Sequence, residues 1–147
     1  MTPDPATIAA QIAAIEARTP DAWRDDTCQA EAANLWGGGC NQHGVFMNGE
    51  RETIARLNGS CRAEIVIAES GNGLFSFGIR YEFGMGGGSV APSIWREAFG
   101  TRTEARRAAI TDLIAAIAGH GGGPMTKQQR LLLAEVRKAD RQRGLFD

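Results

Sequence analysis

Four side chains that could bind a metal ion occur between positions 28 and 61, namely Cys28, Cys40, His43 and Cys61. Zinc prefers thiolate and imidazole ligands, and Cys40-x-x-His43 has the spacing of one half of a zinc knuckle. Cys28 and Cys61 stand alone in the sequence, whereas structural zinc sites usually supply two close pairs. The alternative is that the cysteines are small buried hydrophobic residues. We therefore predict no cofactor, with zinc at these four residues as the open alternative.

No combination of residues predicts catalysis. The glycine-rich segment 84–89 is similar to a phosphate-binding loop only in its glycine content, because the lysine and the hydroxyl residue that follow such loops are missing. We expect no catalytic residues, and the sequence favours a binding protein over an enzyme.

Residues 75–85 alternate between large apolar and small or charged side chains. Alternate side chains of a strand point to opposite faces, so this segment predicts a strand with one apolar face. That face could cover a core or stack on a ligand, and we favour the core because exposed apolar patches of this size are rare in monomers. On the other face, Arg80 and Glu82 lie beside Gly78 and Gly84, where a partner backbone could approach closely.

The basic residues are concentrated near the end of the chain. Residues 124–147 carry six basic and three acidic residues, whereas the remaining residues carry ten basic and fourteen acidic ones. A basic tail on an acidic body is typical of a segment that docks on a partner or touches nucleic acid. We select Arg137, Lys138 and Arg141 as candidate partner-binding residues, and the alternative is a solvated helix.

The chain ends in Gln142-Arg143-Gly144-Leu145-Phe146-Asp147. This segment resembles the sliding-clamp-binding peptides of bacterial DNA replication and repair proteins, in which a glutamine is followed by a leucine-phenylalanine pair. Gln142, Leu145 and Phe146 match that pattern, whereas Arg143 and Gly144 depart from it. The resemblance implies a protein partner in DNA metabolism, whose apolar pocket takes Leu145 and Phe146 as a disordered tail folds onto it. Alternatively, these two residues pack back on the body of the protein.

The elements predict an α+β fold. A three-stranded antiparallel sheet is expected from Ala63 to Glu69, over residues 75–85 and from Ser89 to Trp95, with a turn at 70–73 and Pro92 placing the last strand at an edge. One amphipathic helix over residues 102–118, begun by a capping box at Thr101 and Glu104, should cover the aromatic face. Before the sheet we predict helices from Pro5, from Cys28 to Trp36 and from Glu50 to Leu57, and after it a basic helix begun by Thr126.

We predict one domain over residues 1–120 with a β-β-β-α core at about 61–118, a glycine-proline linker at 121–124, and a basic helix and tail at 125–147. The β-β-β-α arrangement resembles small accessory proteins of phages and plasmids of bacteria. Without a long apolar run, a basic leader or a paired cysteine framework, the expected location is the cytoplasm, with no membrane contact.

The leading functional interpretation is a non-enzymatic bacterial or mobile-element accessory protein that binds a protein partner in DNA metabolism through its basic helix and tail. Nucleic acid stays open as a partner of that tail. The alternatives are a phage-type inhibitor of a nucleic-acid-guided host defence complex, with its acidic body as a decoy, and a small zinc-binding protein.

Overall fold

The computed structural model describes residues 2–144, with side chains through residue 142. Four helices and four strands follow one another along the chain, with a short 3-10 helix at Ala22–Arg24 between the first two helices. They are α1 (Pro5–Arg18), α2 (Asp26–Leu35), β1 (Glu50–Arg56), β2 (Arg62–Glu69), β3 (Phe75–Phe83), β4 (Gly86–Val90), α3 (Arg102–Gly119) and α4 (Lys127–Gly144). No helix in this part of the chain is both long and apolar enough to cross a membrane.

The fold is α+β, and the antiparallel sheet has four strands in the order β1-β2-β3-β4, so the prediction of three strands was wrong. The additional strand is β1, which lies where we predicted a helix. It pairs with β2 from Glu50 opposite Ile67 to Arg56 opposite Arg62, with a shift of register between Thr53 and Ala55. This irregularity puts Ile54 and Ala55 in the core one after the other, which breaks the alternation by which a strand is recognised.

The last strand also differs from its prediction, since β4 begins at Gly86 and ends before Pro92. Three glycines of the glycine-rich segment 84–89, Gly86, Gly87 and Gly88, are strand residues paired with β3. The rings of Tyr81 and Phe83 lie over this strand, because a Cβ on Gly88 would lie 2.8 Å from the Tyr81 hydroxyl and one on Gly86 would lie 2.5 Å from the Phe83 ring. Glycine is therefore the residue that lets the large side chains of β3 spread over the edge.

The aromatic face of β3 lies on the core, as predicted. Two helices cover it instead of one, because α4 contributes to the same apolar cluster as α3. The strand residues in this cluster are Ile54, Ala55, Ala63, Ile65, Ile67, Phe77, Ile79, Tyr81 and Phe83, and the helix residues are Ala105, Ala109, Ile110, Leu113, Ile117, Leu132, Leu133 and Val136. Met85 follows the strand and is exposed.

The expected start signals of these two helices are present. At α3 the Thr101 hydroxyl accepts a hydrogen bond from the Glu104 amide at 3.2 Å. At α4 the capping box is reciprocal: Thr126 Oγ1 accepts from the Gln129 amide at 3.1 Å, and Gln129 Oε1 accepts from the Thr126 amide at 3.1 Å. These bonds satisfy amides that have no partner within the helix.

A second apolar cluster joins α1 and α2 to the end of the sheet, through residues that include Ile8, Ile12, Ile15, Trp36, Leu74 and Ile94. The turn between β2 and β3, which the sequence predicted, docks on the end of α2. The Asn72 side-chain amide donates to the Leu35 carbonyl at 2.9 Å, and the Gly71 amide donates to the Gly38 carbonyl at 3.1 Å. The turn thus satisfies carbonyl groups at the helix end that would otherwise lack partners.

This docking predicts opposite effects of alanine at two glycines. A Cβ on Gly71 would collide with the Gly37 carbonyl oxygen, whereas a Cβ on Gly119, in the last turn of α3, meets nothing within 4 Å. We expect Gly71→Ala to lower the free energy of unfolding by about 1–3 kcal/mol through overpacking, and Gly119→Ala to raise it by about 0.5 kcal/mol. Urea unfolding of both variants measures this, and equal stability of Gly71→Ala and the wild type would contradict the docking.

Candidate functional site

The face of the sheet opposite α3 and α4 carries a groove of about 600 Å³. Its floor includes Glu64 and Val66 of β2 and Arg80 and Glu82 of β3, while residues 87–92 line the side near β4. We call this cavity the open-face groove. Because α3 and α4 pack on the other face of the sheet, the groove is a concave surface that they leave accessible, and ligands and partners usually bind at such surfaces.

A loop closes one end of the open-face groove. Residues 45–49 line it, and they cross the end of the sheet between β4 and β1. The Phe46 amide donates to the Pro92 carbonyl at 3.0 Å, and Val45 forms an isolated bridge with Ser93. Met47 belongs to this loop, and 76% of its surface is exposed. An exposed apolar side chain therefore lines the groove together with the charged residues of its floor.

Arg62, which lies on the same face of β2 as Glu64, and Arg80 of the floor are both paired with Glu82. Arg62 and Arg80 each donate through Nη2 to Glu82 Oε1 at 3.1 Å. The hydrogen bond from Arg62, assisted by its charge and by Arg80 and opposed by partial burial, lowers the pKa of Glu82 below its ordinary value. Glu82 is therefore an anion at neutral pH, and its function here is to hold both guanidinium groups in place.

Glu64 is the least satisfied charged group of the groove. It is only 6% exposed, its Oε1 lies 3.6 Å from Arg62 Nη1, and its Oε2 is buried without a hydrogen-bond partner among the described residues. Arg62 Nε is likewise buried without an acceptor. Buried polar groups are normally hydrogen-bonded, and leaving one unpaired is costly. One face of β2 thus carries a buried acceptor on Glu64 and a buried donor on Arg62 that have no partner among the described residues, and of these two residues Glu64 lines the groove.

The glycines that suggested close approach of a partner are used within the protein. A Cβ on Gly78 would collide with the Val90 carbonyl, and one on Gly84 would collide with the Gln128 side chain. The segment after β4 therefore lies directly against β3 at Gly78, and α4 lies against the end of β3 at Gly84. These contacts shape the edge of the groove but leave no room for a partner backbone at either glycine.

The candidate partner-binding residues of α4 lie away from the groove. Leu132, Leu133 and Val136 hold α4 on the core. Its other side exposes Arg137, Lys138, Arg141 and Gln142. Gln142 belongs to the last turn of the helix, which ends at Gly144, and Leu145 and Phe146 lie outside the described residues.

The four candidate zinc ligands are distributed over different parts of the fold. Cys28 is buried in the cluster of α1 and α2, whereas Cys61 is buried in the cluster below the sheet. Cys40 is half-buried and His43 is exposed in the loop that follows α2. Within residues 2–144 no three His, Cys, Asp or Glu side chains form a group that could hold a metal ion. Burial raises the pKa of the Cys40 thiol, which disfavours the thiolate that binds metals.

Sequence reasoning selected Arg80 and Glu82 for this face but missed Arg62 and Glu64. The alternation along Arg62, Glu64 and Val66 was a usable signal, because these residues must share one face of β2. What the sequence did not indicate is that Val45, Phe46, Met47 and Gly49 line a groove on this face and that Glu64 is buried.

The arginine pairs predict how Glu82→Gln responds to pH. Because the pKa of folded Glu82 is lowered from 4.5, the carboxylate contributes stability above that value, and the contribution is lost as the pH falls through the lowered pKa. We expect the variant to be less stable than the wild type at neutral pH and to approach it in acid, measured by urea unfolding across pH. Glu97→Gln removes the same charge from a residue without an ion pair among the described residues, so it is the matched control. A difference in stability between Glu82→Gln and the wild type that persists in acid would contradict the stabilising pairing of the Glu82 carboxylate with the arginines.

Comparison of the chain with protein-family models, with curated proteins and with solved structures finds no match for any of the three. The functional argument therefore rests on the geometry of the open-face groove and on the exposed side of α4.

Proposed function

We propose that this protein is a non-enzymatic accessory protein that binds a protein partner, and that the partner inserts an extended segment into the open-face groove. The observation that carries the proposal is the buried Glu64 carboxylate, whose Oε2 has no donor among the described residues although Glu64 is one of the residues that line the groove. A donor brought by a partner would remove the unfavourable free energy of that unpaired group. The mutual pairing of Arg62, Arg80 and Glu82 supports a binding surface that is held in shape before the partner arrives.

Charge in the groove favours a neutral donor from the partner. The lining carries two arginines, Arg51 and Arg80, and two glutamates, Glu64 and Glu82. Arg62 adds a positive charge between the glutamates, so no negative charge remains for a cationic side chain. An amide group supplies a neutral N–H donor for Glu64. The proposed occupant is therefore a peptide segment that presents a backbone or side-chain amide to the floor, with apolar side chains against Met47 and Val90.

A bulky residue at Ser89 tests this use of the groove. Ser89 is exposed on β4 and lines the cavity, so Ser89→Arg should fill the groove without disturbing the core. Ala115→Arg places the same side chain on the exposed side of α3, beyond the opposite face of the sheet. In affinity capture from the native host, we expect the wild type and Ala115→Arg to recover the same partner and Ser89→Arg to lose it. Equal recovery by Ser89→Arg, with unchanged melting temperature, would contradict the proposal.

A second contact surface is proposed at the end of α4. The core holds the apolar side of this helix, so Arg137, Lys138 and Arg141 are all presented outward, followed by Gln142. The resemblance of residues 142–146 to sliding-clamp-binding peptides supports a partner in DNA metabolism. In this arrangement the basic side of α4 would add electrostatic attraction to the short apolar contact of Leu145 and Phe146.

Binding to a purified bacterial sliding clamp tests this second contact. We expect deletion of residues 142–147, or Phe146→Ala alone, to abolish the interaction, because the apolar anchor of such a short peptide supplies most of its binding energy. Asp147→Ala changes the neighbouring residue outside the resemblance and should bind like the wild type. Absence of clamp binding by the intact protein would refute this contact. Recovery of a host defence complex from the lysate instead would favour the inhibitor alternative.

A further inference from the structure

A separate cleft lies beside the second apolar cluster, where the end of α1 meets the short 3-10 helix. It has a volume of about 480 Å³ and is lined by Glu16, Thr19, Asp21, Ala22, Trp23 and Trp95. We call it the tryptophan cleft. Two indole rings and two carboxylates thus share one small cavity, which is an unusual concentration of aromatic and acidic groups on an exposed surface.

Both indoles present ring carbon to this cleft. Trp23 is 54% exposed, which is high for the largest apolar side chain. Trp95 is half-buried, and its Nε1 is fully buried, so the surface that it gives to the cleft is the apolar part of the indole. A ligand in the cleft would therefore meet aromatic carbon on two residues without an indole N–H donor from Trp95.

A cation of the protein itself lies against the Trp23 ring. The Arg24 guanidinium carbon lies 4.5 Å from the centroid of the Trp23 ring. Arg24 lines a neighbouring cavity together with Trp23, Asp26 and His43, but it does not line the tryptophan cleft. Trp23 thus lines both a cavity that contains a guanidinium and a cleft whose charged side chains are both acidic.

The carboxylates of the cleft are not neutralised within the protein. Glu16 and Asp21 are exposed, and neither takes part in the ion pairs that the described residues form. Asp21 is held by a left-handed backbone with φ of 53° at the start of the 3-10 helix. Asp21 and Trp23 line the same cavity, where a carboxylate and an aromatic ring both attract positive charge.

We propose that the tryptophan cleft binds an alkylammonium cation, either a free quaternary ammonium compound or a methylated lysine side chain of a partner protein. Aromatic faces attract such cations through the ring quadrupole, and methyl groups make the cation apolar enough to leave water. The two carboxylates supply the opposite charge. Arg and unmethylated Lys are poorer occupants, because their strong hydrogen-bond donors would have to give up water against ring carbon.

The test is a titration of the full chain in which NMR records the indole N–H and side-chain resonances of Trp23 and Trp95. The probes are tetramethylammonium chloride, sodium chloride at equal ionic strength, and a peptide carrying trimethyllysine beside its unmodified counterpart. We expect saturable shifts with tetramethylammonium and with the trimethyllysine peptide, and none with sodium. Tighter binding of the peptide than of the free ion would identify a protein partner as the source, whereas equal binding would identify a small molecule.

Matched variants separate the cleft from a general charge effect. Trp23→Ala should abolish the saturable shifts of Trp95. Asp21→Asn should weaken binding by about fivefold, and asparagine tolerates the left-handed backbone, so the turn is kept. Asp26→Asn removes the same charge from the neighbouring cavity that Trp23 also lines and should bind like the wild type. Absence of saturable shifts in the wild-type protein, or equal weakening by Asp26→Asn and Asp21→Asn, would overturn the proposal.

Discussion

The structure depends on the register between β2 and β3. Ile65 lies opposite Ile79 and Ile67 lies opposite Phe77, so the apolar residues of both strands face α3 and α4 together. A slip of one residue would turn this whole set toward the other face and leave the apolar sides of two helices without a partner. The same register puts Glu64 opposite Arg80. The packing of the core therefore also determines which charged groups lie on the floor of the open-face groove.

The two faces of the sheet are stabilised by different interactions. Below the sheet, apolar burial holds α3 and α4, and the ion pair of Arg106 with Glu52 adds a contact between α3 and β1. Above it, guanidinium and carboxylate groups pair with one another and leave Glu64 Oε2 and Arg62 Nε unpaired. Such incomplete pairing is uncommon in buried positions and concentrates where proteins bind something else. The face covered by α3 and α4 thus gives rigid support to the face with the open-face groove, where the hydrogen bonding of the charged groups is incomplete.

Much of the covered face could be predicted from the sequence, because alternation along β3 and the capping signals at Thr101 and Thr126 are local patterns. β1 could not, since its irregularity between Thr53 and Ala55 removes the alternation and its pairing with β2 is a tertiary effect. The groove was predicted only in part. Arg80 and Glu82 follow from alternation, but the loop that lines the groove through Val45, Phe46, Met47 and Gly49 has a path determined by contacts distant in sequence, such as that of Phe46 with Pro92.

The extent of α4 has a consequence for any partner that takes residues 142–147 as an extended peptide. Gln142 lies in the last helical turn, so helix and partner compete for the same backbone groups. Binding then requires that turn to open, and the apparent affinity is reduced by the fraction of molecules in which it is open. Terminal turns open easily, so opening this one would cost little free energy. A partner surface that matches the peptide only weakly would still not supply that free energy. Selectivity at the tail would then come partly from helix fraying in the free protein.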